Sequence, residues 1–272
     1  MSNSTDTTAL FRPAQTGPAN PTAVSAPAEP TELTEITAAD AAAPAPNPTD
    51  GAAQPQITPQ RLARIRRVLT LRQPDLTLVL ANIHDPHNVS AIYRSCDAFG
   101  VDEVQLYYTH TPFPELGAKS SASARKWVRT RRHRDLQSLQ NHLHSLAALC
   151  SDNQPGCPAA PGPAHPAPSP GCQVLATSCS PTAKPLEAWD FTRPTAVIMG
   201  NEHAGVDPEL LSIAHGELYI PMYGMIRSFN VSVAAAVILA EACRQRKLAG
   251  MYAAPRVSPA ELERRIAEWI RK

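Results

Sequence analysis

The chain has 272 residues, 43% hydrophobic and 18% charged, with a formal net charge of +1. No apolar run approaches the roughly 18 residues needed to cross a membrane. The six cysteines contain no CxxC pair and fit no zinc template, so no metal is assigned; free thiols in a reducing cytoplasm are expected, with a labile disulfide among Cys150, Cys157, Cys172 and Cys179 as the alternative.

Residues 1–56 hold nine prolines, many alanines and almost no aromatic side chain. Such a stretch cannot bury enough apolar surface to offset its ordering entropy, so a disordered Ala/Pro-rich acidic tail is expected. It carries Arg12 against six acids, which leaves +6 on residues 57–272 and points to a polyanionic partner. The tail lacks the basic start and apolar stretch of a secretory signal and is too acidic for a transit peptide.

From Ile57 to Leu71, Ile57, Leu62, Ile65 and Leu69 recur at helical intervals, with Thr58-Pro59 as the start. The other face carries Arg61, Arg64, Arg66, Arg67 and Arg72, which suits phosphates. This basic N-terminal helix (57–75) leads into the main domain (76–250). Leu76 to Ala81 reads as a buried parallel strand, Asn88 to Phe99 as a helix ended by Gly100, and Val104 to Tyr107 as the next strand. A Ser/Ala-rich turn at 120–124 precedes Arg125, Lys126 and a basic cluster that includes Arg131, Arg132 and Arg134. Leu136 to Leu149 reads as a helix, and seven prolines in 151–172 mark a surface loop insertion. Val174–Thr177, Thr195–Met199 and Leu218–Ile220 are expected strands, and Pro208–Ala214 and Val231–Arg246 expected helices. The segment 251–272 closes with an amphipathic helix, in which Ser258-Pro259 is the start and Glu261 stands at the capping-box position. Strands alternating with helices predict an α/β fold with a mostly parallel sheet.

Three segments repeat one plan of strand, polar loop and helix: 82–100 (NIHDPHNVSAIYRSCDAFG), 196–202 (AVIMGNE) and 220–234 (IPMYGMIRSFNVSVA). Strand ends of open α/β sheets are where ligands bind. No GxGxxG, P-loop or GxSxG motif follows any strand. His84 and His87 flank Asp85-Pro86 without further ligands. Asn88, Arg94, Asn201, Glu202, Ser228 and Asn230 remain as polar residues at the strand ends. Asn88 and Arg94 stand six apart, so in one helix they are not adjacent, and a partnership between them needs loop geometry or a substrate that spans both.

The strings HNVSAIYRSCDAFGV, SASARKWV, VIMGNEHAGV and IPMYGMIRSFNVSVAAA resemble, in order, the motifs of the SpoU/TrmH family of SPOUT RNA 2′-O-ribose methyltransferases. The likeness spans roughly residues 60–252. It implies a SPOUT fold with a C-terminal deep trefoil knot, a homodimer with its site near the subunit interface, and S-adenosyl-L-methionine as cofactor. It further implies methylation of a ribose 2′-hydroxyl in tRNA, at guanosine 18. By that resemblance Arg94 would be the catalytic arginine, and Asn88, Glu202, Ser228 and Asn230 would shape the site. Thr177, Gly200, Ile220, Met222 and Phe229 would bind the cofactor. Arg61, Arg64, Arg67, Arg72, Arg125, Lys126 and Arg132 are the expected RNA contacts. The family pattern has Leu where this chain has Phe229, and both are apolar surfaces for an adenine. The rival readings are a ribosomal RNA 2′-O-methyltransferase of the same family and a non-catalytic RNA-binding protein with the same fold. Ribosomal relatives often carry a folded N-terminal RNA-binding domain, and the disorder expected of 1–56 favours the tRNA reading.

Overall fold

A computed structural model describes residues 57–114, 124–148 and 171–272. The expected tail, residues 120–123 of the Ser/Ala-rich turn and nearly all of the 151–172 insertion lie outside the described residues.

Seven strands form one sheet in the order β3-β2-β1-β6-β4-β7-β5, and every pairing is parallel. β1 (Leu76–Ala81) lies inside the sheet between β2 (Glu103–Tyr107) and β6 (Thr195–Met199). All six β1 residues are buried, as a continuous apolar run requires of a strand covered on both faces. Its side chains alternate between two cores. Leu78 and Leu80 join the layer made by α2 (Pro86–Ala98) and α6 (Val231–Leu248). Val79 and Ala81 join the layer made by α4 (Leu136–Ala148) and α5 (Pro208–Leu211). In α6, Ala235 and Ala242 are completely buried, and their small size lets this helix lie close against α2.

Outside the two layers, α1 (Pro59–Thr70) packs on α7 (Pro259–Ile270) through Ile65, Leu69, Leu262, Ile266 and Trp269. Thr58 caps α1 by accepting the Arg61 amide at 3.2 Å. Ser258 caps α7 by accepting the Glu261 amide at 3.3 Å, but the Glu261 carboxylate turns to Arg264 and Arg265, both at 2.7 Å, and does not complete a reciprocal capping box. Below the sheet, Arg246 and Asp75, both fully buried, pair at 2.6 Å, and Arg256 meets the same carboxylate at 3.0 Å.

Two strands are absent from the sequence reading, and the expected strand 218–220 is found at Gly216–Tyr219. The basic cluster contains β3 (Arg129–His133), an edge strand that pairs with β2 alone. β5 (Lys184–Pro185) forms the opposite edge, beside β7 (Gly216–Tyr219). The short α3 (Ala124–Trp127) precedes β3, and β4 (Gln173–Thr177) lies between β6 and β7. Because all strands run the same way, the loops after β1, β4, β6 and β7 gather at one sheet edge.

Candidate active site

At that edge lies a cavity of about 1070 Å³. Its walls are the loop after β4 (Thr177–Ser180), the turn after β6 (Gly200–Glu202) and the loop after β7 (Ile220–Asn230). All five expected cofactor residues, Thr177, Gly200, Ile220, Met222 and Phe229, line it, as do Glu202, Ser228 and Asn230.

The turn after β6 is made by close backbone approach. Asn201 and Gly205 exchange amide bonds at 2.8 and 2.9 Å. A Cβ on Gly200 would meet the Gly205 carbonyl carbon at 2.3 Å, so only glycine fits there. The Asn201 side chain accepts the His203 and Ala204 amides, which leaves Glu202 projecting from the turn.

Glu202 is the acceptor at the centre of the site. It receives the backbone amides of His84 (3.1 Å) and Asp85 (3.3 Å) and the Asn88 side-chain amide (2.9 Å). Burial pushes its carboxyl upward, but the Asn88 amide and the backbone amides outweigh that effect and hold it below the ordinary carboxylate range. Asn88, buried in the first turn of α2, accepts the Asn230 amide at 3.0 Å. Asn230 in turn caps α6 by accepting the Ser232 amide at 2.9 Å. The first turn of α2, the turn after β6 and the start of α6 are thereby joined in one hydrogen-bonded chain.

Arg94 is not brought into that chain. It lies exposed on α2, makes no hydrogen bond or ion pair with any described residue, and does not line the cavity. In the loop after β7, Tyr223 and Met225 are each 99% exposed. Thr177 donates its hydroxyl to the Ile198 carbonyl at 3.0 Å, so its own polar head is engaged by the sheet.

Of the expected RNA contacts, Arg61, Arg64 and Arg67 are exposed on α1, Arg125 and Lys126 on α3, and Arg132 on β3. The Arg132 guanidinium lies 5.0 Å from the centre of the Phe113 ring. Arg72 is a correction. It is 2% exposed, donates to the Val101 carbonyl at 2.7 Å, pairs with Asp97 at 2.5 Å and faces the Trp269 ring at 5.3 Å. A guanidinium held by such internal partners is a structural residue, not a phosphate contact. Among the described residues, no group of His, Cys, Asp and Glu could hold a metal, and Cys96, Cys179 and Cys243 are free thiols.

Sequence reasoning passed over Asn82, which follows β1 with a left-handed φ of 50°. Asparagine tolerates that conformation better than most side chains.

The model of the SpoU rRNA Methylase family matches residues 75–155 and 165–240. A tRNA (guanosine(18)-2′-O)-methyltransferase of Thermus thermophilus is 41% identical over 215 residues, which cover 79% of this chain and 98% of that protein. The crystal structure of the A. aeolicus TrmH/SpoU tRNA modifying enzyme aligns with a TM-score of 0.64 and 33% identity, covering 77% of this chain and 94% of that one. The SpoU methyltransferase AviRb from Streptomyces viridochromogenes, in complex with the cofactor AdoMet, shares the fold with a TM-score of 0.50 at 23% identity, covering 66% and 62% of the two chains. A family match over most of the parallel sheet, together with close relatives spanning most of the chain, places this protein: it belongs to the SpoU rRNA methylase family.

Proposed function

We propose that the protein transfers a methyl group from S-adenosyl-L-methionine to the ribose 2′-hydroxyl of guanosine 18 in tRNA. The observation that carries this reading is the Glu202–Asn88–Asn230 chain, whose two outer members line a cavity of about 1070 Å³ at the strand ends. The tRNA and the guanosine come from the name of the Thermus thermophilus relative, which this chain matches over 98% of that protein.

The cavity suits the cofactor in size and lining. Ile220, Met222 and Phe229 offer apolar surface to an adenine, and the backbone around Thr177 and Gly200 offers polar groups. When bound, S-adenosyl-L-methionine supplies an electrophilic methyl group on a sulfonium. Glu202, held ionised by three donors, gives this cavity a fixed negative charge that suits a cationic ligand.

A ribose hydroxyl is a poor nucleophile until its proton leaves, so the protein must align the oxygen and help that proton away. Asn88, Ser228 and Asn230 order the wall facing the ribose. Arginine side chains only donate hydrogen bonds. Arg94 therefore orients the hydroxyl and the adjacent phosphate, with the proton passing to another group or to water.

The working unit is a homodimer in the cytoplasm, and its C-terminal segments form a deep trefoil knot. Support for the dimer comes from Arg94, exposed and outside the cavity lining of its own chain, and from the bare side chains of Tyr223 and Met225 in the loop after β7, which a second copy would cover. The knot is supported by the strand order, which inserts β6 between β1 and β4 before α6 returns to α2. The tRNA lies across the exposed cations Arg61, Arg64 and Arg67 of α1, Arg125 and Lys126 of α3, and Arg132 of β3.

Transfer of tritium from labelled cofactor to bulk tRNA and to ribosomal RNA, measured side by side, tests the reading. Label in tRNA alone is expected. Label in ribosomal RNA alone would move the protein to the rival substrate, and label in neither would leave an RNA-binding protein with this fold.

A further inference from the structure

Asn82 makes more hydrogen bonds than a loop residue needs, and all of them join strand ends around the site. Its backbone amide donates to the Tyr107 carbonyl at 3.0 Å. Its side-chain oxygen accepts the Thr109 amide at 3.0 Å, the His110 amide at 3.3 Å and the Thr111 hydroxyl at 3.5 Å. Its side-chain amide donates to Asp207 at 2.8 Å. Its backbone carbonyl accepts the Asn201 side-chain amide at 2.7 Å. The residue is 4% exposed, and among the described residues it is the only non-glycine with positive φ.

These bonds close a ring. Asn201 is bound to Asn82, and its neighbour Glu202 is bound to His84, Asp85 and Asn88, which follow Asn82 in the chain. Asp207, at the far end of the same turn, is bound to the Asn82 side chain. The segments 82–88 and 201–207 are therefore clasped at both ends, with Glu202 between.

We propose that Asn82 is a positioning residue for methyl transfer, which sets the distance from Glu202 to Asn88 by clasping the loops after β1 and β6. The requirement is specific to asparagine. Glycine would accept the left-handed backbone but lose the side-chain bonds. Aspartate would keep the acceptor toward Thr109 and His110 but set a second carboxylate against Asp207, where like charges repel.

The role in catalysis rests on the methyl-transfer reading above, and a charge exchange tests it. N82D is expected to lower kcat roughly tenfold or more, while KM for tRNA stays within about threefold, because the ribose site is misaligned but the basic RNA face is untouched. In N82D/D207N the amide donor stands on the other side of the same contact, so kcat should return to within about threefold of wild type. Amide hydrogen exchange of His84 and Asp85 should quicken in N82D and slow again in the double variant, whatever the substrate. If N82D does not fold, the double variant decides alone, by restored folding together with restored kcat. A double variant that recovers melting temperature but not kcat overturns the proposal, as does an N82D that matches wild type in kcat or in His84 and Asp85 exchange. Wild-type protein that methylates no tRNA would instead refute the functional reading, with the exchange measurement still reporting on the clasp.

Discussion

The Asn230 side-chain amide donates to the Asn88 side-chain oxygen at 3.0 Å, across 142 positions of sequence. The same Asn230 caps the 18-residue α6 through the Ser232 amide. One side chain thus starts the longest of the described helices and orders the site. Asn230→Ala should lower stability by about 1 kcal/mol, the usual cost of a lost cap, and lower turnover as well. Thermal melting and steady-state kinetics check both effects, and a variant normal in each would count against both roles.

Arg94 stands apart from the cavity wall, so its removal should spare the cofactor site. Arg94→Ala is expected to bind S-adenosyl-L-methionine with wild-type affinity in calorimetry and to lose most of its methyl transfer. Turnover near the wild-type level would remove Arg94 from the mechanism.

Much of the fold was legible because hydrophobic periodicity reports burial. Leu76–Ala81 and Thr195–Met199 read as strands to the residue, since both faces of each are covered. β3 escaped because an edge strand spelled RTRRH has little apolar surface to bury, and what defines it is backbone pairing with β2. Within the site, the residues after β6 and β7 were legible as polar or glycine-rich strand ends, whereas Thr177 at the end of β4 came from the family resemblance alone. The Asn82 clasp was not legible, because its partners lie between 25 and 125 positions away and nothing local marks them. Arg72 was misplaced for the same reason. Among the arginines of RLARIRRVLTLR it has no local distinction, and its burial is set by Asp97, Val101 and Trp269.

That contrast between arginines can be measured. Reversing Arg64 and Arg67 to Glu should weaken tRNA binding and flatten its salt dependence, with each lost phosphate contact changing the log–log slope by about 0.7 to 0.9. Cofactor affinity should hold. Arg72→Ala should instead destabilise the fold by roughly 3 kcal/mol, since it strips the partner from Asp97 and vacates a buried site. Fluorescence titration across several salt concentrations, with denaturant melts of both variants, separates the two behaviours.

His133 gives the fold an acid sensitivity. Burial, the neighbouring His142 and Arg131 lower its pKa to about 4, and Glu103 opposes them only partly. Its ring nitrogens meet Gln105 at 2.9 Å and Ser138 at 3.2 Å, contacts a neutral imidazole satisfies. In the unfolded chain a histidine takes its proton near pH 6.5, so acidification favours unfolding from that pH down to about 4. H133Q should flatten the decline in stability across this window. An unchanged pH profile would mean that His133 is not the group responsible.

Methyl transfer at the cavity edge needs one ribose hydroxyl as its acceptor. A tRNA carrying 2′-deoxyguanosine at position 18 removes that oxygen and nothing else. With labelled cofactor, wild-type protein should methylate the unmodified tRNA and leave the deoxy tRNA unlabelled, while binding both alike. Equal labelling of the two would contradict the account.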